Sequence, residues 1–112
     1  MSDPGSIAGE LSRSTTLLIQ GEFTLRRAPQ LGAQIQQLLS GARAVLVDCT
    51  DTSDVDLSAI QLLLSARCSA QAAGKSVTLK NPASGALREA LSRGGFLSAA
   101  TSAADRSFWL KD

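Results

Sequence analysis

The stretch AVLVDCTDTSDVDLSAIQLLLSAR (residues 44–67) contains the patterns that decide the fold. Its first part, AVLVDC, is an apolar run of the kind that forms a central strand buried on both faces. An acidic segment with Asp51, Asp54 and Asp56 follows, and beyond it apolar residues recur at helical spacing. The stretch therefore predicts a buried strand, an acidic loop and an amphipathic helix.

Strand and helix patterns also alternate on either side of this stretch. TTLLIQ (15–20) and SVTLK (76–80) predict strands, and IAGEL (7–11) is a weaker strand pattern at the start of the chain. Helical spacing of apolar residues predicts a helix before the central strand (24–41) and another after the last one (81–95). This order predicts an α/β sandwich, with a mixed central β-sheet and helices packed on it.

Glycine, proline and asparagine indicate where these helices begin and end. Leu25 opens the apolar stripe of the first helix, and Pro29 is tolerated only in a first turn, so this helix should begin just before the proline. Asn81 is the expected N-cap of the last helix and Pro82 its first residue. The tail, residues 97–112, shows at most one short element near its end.

Composition excludes several classes of function. The 112 residues carry a net charge of +1 with three Phe and one Trp, which argues against nucleic-acid binding. The chain has no histidine, so His-dependent nucleophiles and most zinc sites are excluded, and we expect no cofactor. Neither a signal peptide nor a membrane span is visible, which favours a cytoplasmic protein. We expect one domain over 1–112, with residues 1–5 disordered, and both cysteines, Cys49 and Cys68, as buried thiols.

The start of the second helix can be explained by helix initiation alone. Ser58 and Gln61 form an S-x-x-Q capping box, in which each side chain satisfies a backbone amide of the first turn. Leu57 and Leu62 then occupy the positions of a hydrophobic staple. The acidic residues before the helix are favoured there by the helix dipole. This interpretation requires no ligand or partner.

Two kinds of phosphoacceptor site match this segment less well. An aspartate pocket of the response-regulator type would need an acidic pair after the first strand, where this chain has Gln20, Gly21 and Glu22. A reactive thiol at Cys49 would need basic neighbours to lower its pKa, and the neighbouring Asp48 acts in the opposite direction.

Three stretches, in order, resemble the STAS domain, the fold of bacterial anti-sigma-factor antagonists. GEFTLRRAPQL (21–31) is similar to the segment that leads into the first helix of that family. The central strand, loop and D-S-S-G-L helix start of the family resemble AVLVDCTDTSDVDLSAIQLL (44–63). The next strand and helix of the family resemble GKSVTLKNPASGALREALSRGGF (74–96). The resemblance covers about residues 15–96 and implies a binding module without enzymatic activity.

The resemblance places Leu57 on the serine that partner kinases phosphorylate in those antagonists. Asp56 falls on the aspartate of the family and Ser58 on its second serine. Leu57 has no hydroxyl group, so the chain is more similar to diverged STAS proteins found beside chemotaxis and other two-component systems. Phosphorylation of Ser58, one residue later, stays open as an alternative.

A docking surface at the start of the second helix is therefore predicted. On a helical wheel, small polar residues cluster on one face with Leu62 at its edge, whereas Ile60, Leu63, Ala66 and Ala70 lie on the opposite, core-facing side. The predicted partner-binding residues are Asp54, Asp56, Leu57, Ser58, Gln61, Leu62 and Ser65.

The resemblance implies a protein partner, such as a histidine-kinase-like or other ATPase, with no nucleic acid and no direct membrane insertion. The alternatives are a STAS subunit of an ABC lipid-transport complex and a phosphoacceptor switch at Ser58. Homodimer formation is a further alternative that the sequence leaves open.

Overall fold

The computed structural model describes residues 14–111, which build a parallel sheet covered by helices. Its strands are β1 (Ser14–Phe23), β2 (Ala44–Val55) and β3 (Ser76–Leu79), in the order β1-β2-β3. Both strand pairings within these residues are parallel. The predicted α/β fold is confirmed, whereas the IAGEL strand and the disorder predicted for residues 1–5 fall outside the described residues.

Four helices pack against one face of this sheet. They are α1 (Ala28–Gly41), α2 (Leu57–Ala72), α3 (Gly85–Arg93) and α4 (Ala103–Leu110). Strand side chains alternate between the two faces, so Val45, Val47, Val77 and Leu79 are buried in one core with all four helices. Leu18 lies on the opposite face and is 48% exposed. The short element predicted near the end of the tail is α4, which buries Phe108 and Trp109.

β2 is longer than predicted, because the segment expected to be an acidic loop continues the strand. Two register shifts in the pairing with β1 absorb extra residues of β2, so that Glu22 pairs with Asp54 and Phe23 with Val55. The hydroxyl of Thr52 donates to the carbonyl of Cys49 at 2.7 Å within this irregular section. The strand therefore carries the chain to Asp56, the residue before α2.

Three other local predictions were wrong. Leu25 precedes α1 and is exposed, although Pro29 does lie in the first turn of that helix. α3 begins at Gly85 and not after Asn81, because the amide of Ala83 donates to the carbonyl of Trp109 at 2.8 Å. Cys68 was expected to be buried, but it lies on the outer side of α2 and is exposed.

Candidate docking site at the start of α2

One carboxylate, that of Asp56, organises the start of α2. Its Oδ1 accepts the amide of Ala59 at 3.2 Å, and its Oδ2 accepts the amide of Leu25 at 3.0 Å. The amide of Asp56 itself donates to the carbonyl of Phe23 at 3.4 Å. Asp56 is thus the N-cap of α2, and the same side chain ties the helix to the segment between β1 and α1.

The predicted capping box at Ser58 and Gln61 was therefore wrong. The backbone is extended at Asp56 and helical from Leu57 onward, which makes Ser58 the second residue of the helix. The positions of a hydrophobic staple fall instead on Val55 and Ile60, and both are buried.

Leu57 and Leu62 are consequently free of the staple interaction and face different surroundings. Leu62 is half-buried and packs on α1 at Gly32, where an added Cβ would lie 3.0 Å from Leu62 Cδ1. This packing covers part of the Leu62 side chain that was predicted to meet a partner. Leu57 is 54% exposed at the helix start.

Leu25 and Leu57 are exposed apolar residues on either side of Asp56, and we call this pair the leucine tip. Leu25 is 68% exposed, and among residues 14–111 these two and Leu18 are the exposed large hydrophobic side chains. The Asp56 carboxylate holds the Leu25 amide and immediately precedes Leu57, so the two leucines flank one anchored residue. Sequence reasoning missed Leu25 by assigning it to α1, although its distance from Pro29 already placed it before the first turn.

A groove of about 240 Å³ adjoins Leu57 on the side of α3. Buried Ile60 and Ala90 lie among its apolar lining residues, and half-buried Phe96 and exposed Arg93 complete the side toward the end of α3. The leucine tip is therefore continuous with an apolar depression that has a cation beside it. A partner side chain inserted there would contact both Leu57 and Phe96.

The remaining predicted residues are spread over two sides of this end. Gln61 and Ser65 are exposed on the outer face of α2, while Ser58 is half-buried one turn before Leu62, on the side of α1. Asp54 is exposed at the end of β2, where it pairs in register with Glu22. The opposite side of α2 is buried as predicted, at Ile60, Leu63, Ala66 and Ala70.

Two arginines precede α1 near the leucine tip, and the structure gives them different roles. Arg27 donates from Nη1 to the carbonyls of Gln20 and Glu22, at 2.6 and 2.7 Å, and so fixes the end of β1. Arg26 is exposed and provides a second cation at this end of the molecule.

The thiol and carboxylate chemistry of β2 does not favour covalent catalysis. Burial, reinforced by the negative charge of Asp48, raises the pKa of Cys49 to about 12, so this thiol stays protonated and unreactive. Hydrogen bonds from the hydroxyl and amide of Thr50, at 2.6 and 3.0 Å, lower the pKa of Asp48. Within residues 14–111, no three His, Cys, Asp or Glu side chains come together as a metal site would require.

A family model described as "Mlab, STAS domain" matches residues 8–98 of the sequence. The chain belongs to the STAS domain family. The resemblance predicted from sequence is thereby confirmed. STAS domains are generally non-enzymatic binding modules, and the family includes anti-sigma-factor antagonists and domains of transporters. No curated protein matches the sequence.

Two solved structures support the same fold. A sulfate transporter family protein from Wolinella succinogenes superposes with a TM-score of 0.59 at 20% identity, over 88% of this chain and 81% of that one. A structure titled "Crystal Structure Analysis of Mglu" gives a TM-score of 0.53 at 22% identity. The match covers 60% of this STAS chain but only 17% of the second protein. None of the helices within residues 14–111 is both long and apolar enough to span a bilayer.

Proposed function

We propose that this STAS domain is a non-enzymatic regulatory module of bacterial signal transduction that docks on a protein partner through the leucine tip. The observation that carries the proposal is the pair of exposed leucines, Leu25 and Leu57, flanking the anchored Asp56. Exposed large apolar side chains beside an apolar groove favour a protein interface, because a partner that covers them removes apolar surface from water.

The charges around the leucine tip support a partner with a mixed surface. Asp54 contributes an exposed acid, while Arg26 and Arg93 contribute exposed cations. Such a rim favours specificity and correct orientation more than affinity. The family resemblance favours a cytoplasmic histidine-kinase-like ATPase as the partner. Leu57 carries no hydroxyl group, so the contact would not depend on phosphorylation at that position.

The proposal is tested by exchanging single exposed leucines for glutamine. Tagged wild type, Leu25→Gln, Leu57→Gln and Leu18→Gln are used to capture partners from the source organism, and the affinity for each ATPase recovered is then measured. Leu25→Gln and Leu57→Gln should weaken binding at least tenfold, as truncation of an interface anchor does. Leu18→Gln is the matched control, since Leu18 is comparably exposed but lies on the face of the sheet opposite the helices.

Unfolding measurements separate loss of binding from loss of the fold. All three side chains are about half exposed or more, so each variant should unfold within about 0.5 kcal/mol of wild type. If the two tip variants bind like wild type while Leu18→Gln weakens capture, the docking surface is the sheet face that carries Leu18 and the proposal is wrong.

A role in an ABC lipid-transport complex is the second candidate within binding. Its support is that the STAS family includes domains of transporters. Both candidates predict an ATPase partner, so the identity of the captured ATPase distinguishes them: a kinase-like protein supports signalling, and a transporter ATPase supports the alternative.

A phosphoacceptor switch at Ser58 is the remaining alternative. Ser58 is the second residue of α2, where the helix dipole favours a phosphate group, while the nearby Asp54 and Asp56 disfavour it. Mass spectrometry of the captured protein shows whether Ser58 carries phosphate in the cell. Phosphate at this position would replace permanent docking with a regulated contact.

A further inference from the structure

A second groove, of about 470 Å³, shares no lining residue with the groove beside Leu57. It is bordered by the second half of α2, by β3 at the edge of the sheet and by α4, and we call it the edge groove. Its volume is in the range of small-molecule sites. α4 follows residue 98, where the match to the family model ends, so one wall is built by a segment outside the matched region.

Two cations line the edge groove, and each is held in place by the protein. Arg67 donates from Nη1 to Asp105 Oδ1 at 2.8 Å, and its guanidinium lies 5.1 Å from the centroid of the Phe108 ring. Lys111 donates from Nζ to the carbonyl of Leu79 at 2.9 Å. Guanidinium and ammonium groups carry several N–H donors each, so both side chains are positioned and still retain donors for an anion.

β3 forms the floor of the edge groove. The amides of Ser76 and Lys80 donate to carbonyls of Arg43 and Val47, on the side of β2. Successive amides of a strand point to opposite sides, so the amide of Val77 points away from β2, while Val77 as a whole is buried beneath the groove. Phe108 provides an aromatic wall, and the lining is mostly apolar.

We propose that the edge groove binds a small organic anion with an aromatic or aliphatic body. Its charged group is held by Arg67 and Lys111, and its body packs on the apolar lining of the groove, to which Ala104 and Phe108 belong. The combination of an apolar lining with two fixed cations is the reason for this choice, because an uncharged apolar molecule leaves the cations unused and a bare inorganic anion leaves the apolar wall uncovered. The proposal is independent of docking through the leucine tip.

Trp109 provides the readout in the complete chain. It is the single tryptophan, it is buried, and its ring lies edge-on to Phe108 with 4.7 Å between centroids. Its fluorescence is followed during titration with 4-phenylbutyrate, with 4-phenylbutanol as the uncharged control and butyrate as the control without the ring. We expect a saturable change with 4-phenylbutyrate alone, half complete in about the millimolar range that suits so small a ligand.

Three variants connect the signal to the cations. Arg67→Gln and Lys111→Gln should each weaken 4-phenylbutyrate binding at least fivefold. Asp105→Asn is the matched control, since it removes the ion pair with Arg67 but keeps the guanidinium, and it should bind as tightly as wild type or more tightly. Amide chemical shifts should change most at Ala104 and Phe108.

Several results would overturn the proposal. If 4-phenylbutanol changes the Trp109 fluorescence as much as 4-phenylbutyrate does, the groove is an apolar surface that does not select an anion. A loss of binding in Asp105→Asn as large as that in Arg67→Gln would indicate that the substitutions act by loosening α4. If the fluorescence change does not saturate, or if amide chemical shifts change only at Leu57 and Phe96, no anion binds in the edge groove.

Discussion

Replacing Asp56 with alanine tests the central structural claim about the start of α2. The substitution removes the N-cap acceptor of Ala59, which costs about 0.5–2 kcal/mol of stability. It also removes the hydrogen bond to the Leu25 amide, and such a bond contributes about 0.5–1.5 kcal/mol. We expect a value near the lower limit, because this amide is exposed and water can replace the carboxylate. We therefore expect a loss of about 1–3 kcal/mol.

The loss can be measured by urea or thermal unfolding followed through Trp109, which is buried in the native state. For a chain of this size, 1 kcal/mol corresponds to about 4 °C in Tm, so Asp56→Ala should lower Tm by about 4–12 °C. Asp56→Asn keeps one acceptor oxygen and should lose about half as much. The intermediate value would show that the two oxygens act on two separate amides.

Asp54 offers the matched control for this experiment. It lies two residues earlier, is exposed and stands in register with Glu22, so Asp54→Asn removes a like-charge pairing and should change stability by no more than about 0.5 kcal/mol. If Asp56→Ala is no more destabilising than Asp54→Asn, then Asp56 does not anchor the helix and the explanation of the leucine tip is refuted.

Two further predictions concern single side chains of β2 and α2. Iodoacetamide at pH 8 should label Cys68 rapidly and Cys49 only as fast as the protein unfolds, and mass spectrometry can count the labels. Because burial raises the pKa of folded Cys49 to about 12, the free energy of unfolding should fall as pH rises above about 8.5, where the unfolded thiol ionises. This part of the pH dependence should be absent in Cys49→Ala. If Ser58 is a switch, Ser58→Asp should change the affinity for the partner more than Ser58→Ala does, whereas equal affinities in a binding titration would rule out the switch.

The periodic parts of the fold could be predicted because they depend on local pattern. The apolar run before Cys49 predicted the central strand, and helical spacing predicted the buried side of α2, including Ile60 and Leu63. These residues follow the repeat of the element they belong to, and burial of one face is decided by that repeat. The family resemblance rested on the same elements.

The boundaries could not be predicted because contacts distant in sequence decide them. The amide of Leu25 is bound by a carboxylate 31 residues away, which keeps Leu25 outside α1 and exposes it. The start of α3 is set by the bond between Ala83 and Trp109, a residue of the tail. A capping box at Ser58 and a cap at Asp56 are both chemically acceptable, and the sheet pairing of Val55 with Phe23 selects the second.

The outer face of α2 determines how the isolated protein behaves at high concentration. This helix carries one charged residue, Arg67, which is paired with Asp105, so its exposed surface consists of leucine, serine, glutamine, cysteine and alanine. The chain has a net charge of +1 and a pI of about 7.8, which leaves little repulsion between molecules near neutral pH. Purified protein should therefore stay dispersed best in buffers well away from pH 7.8, or together with a partner that covers this helix.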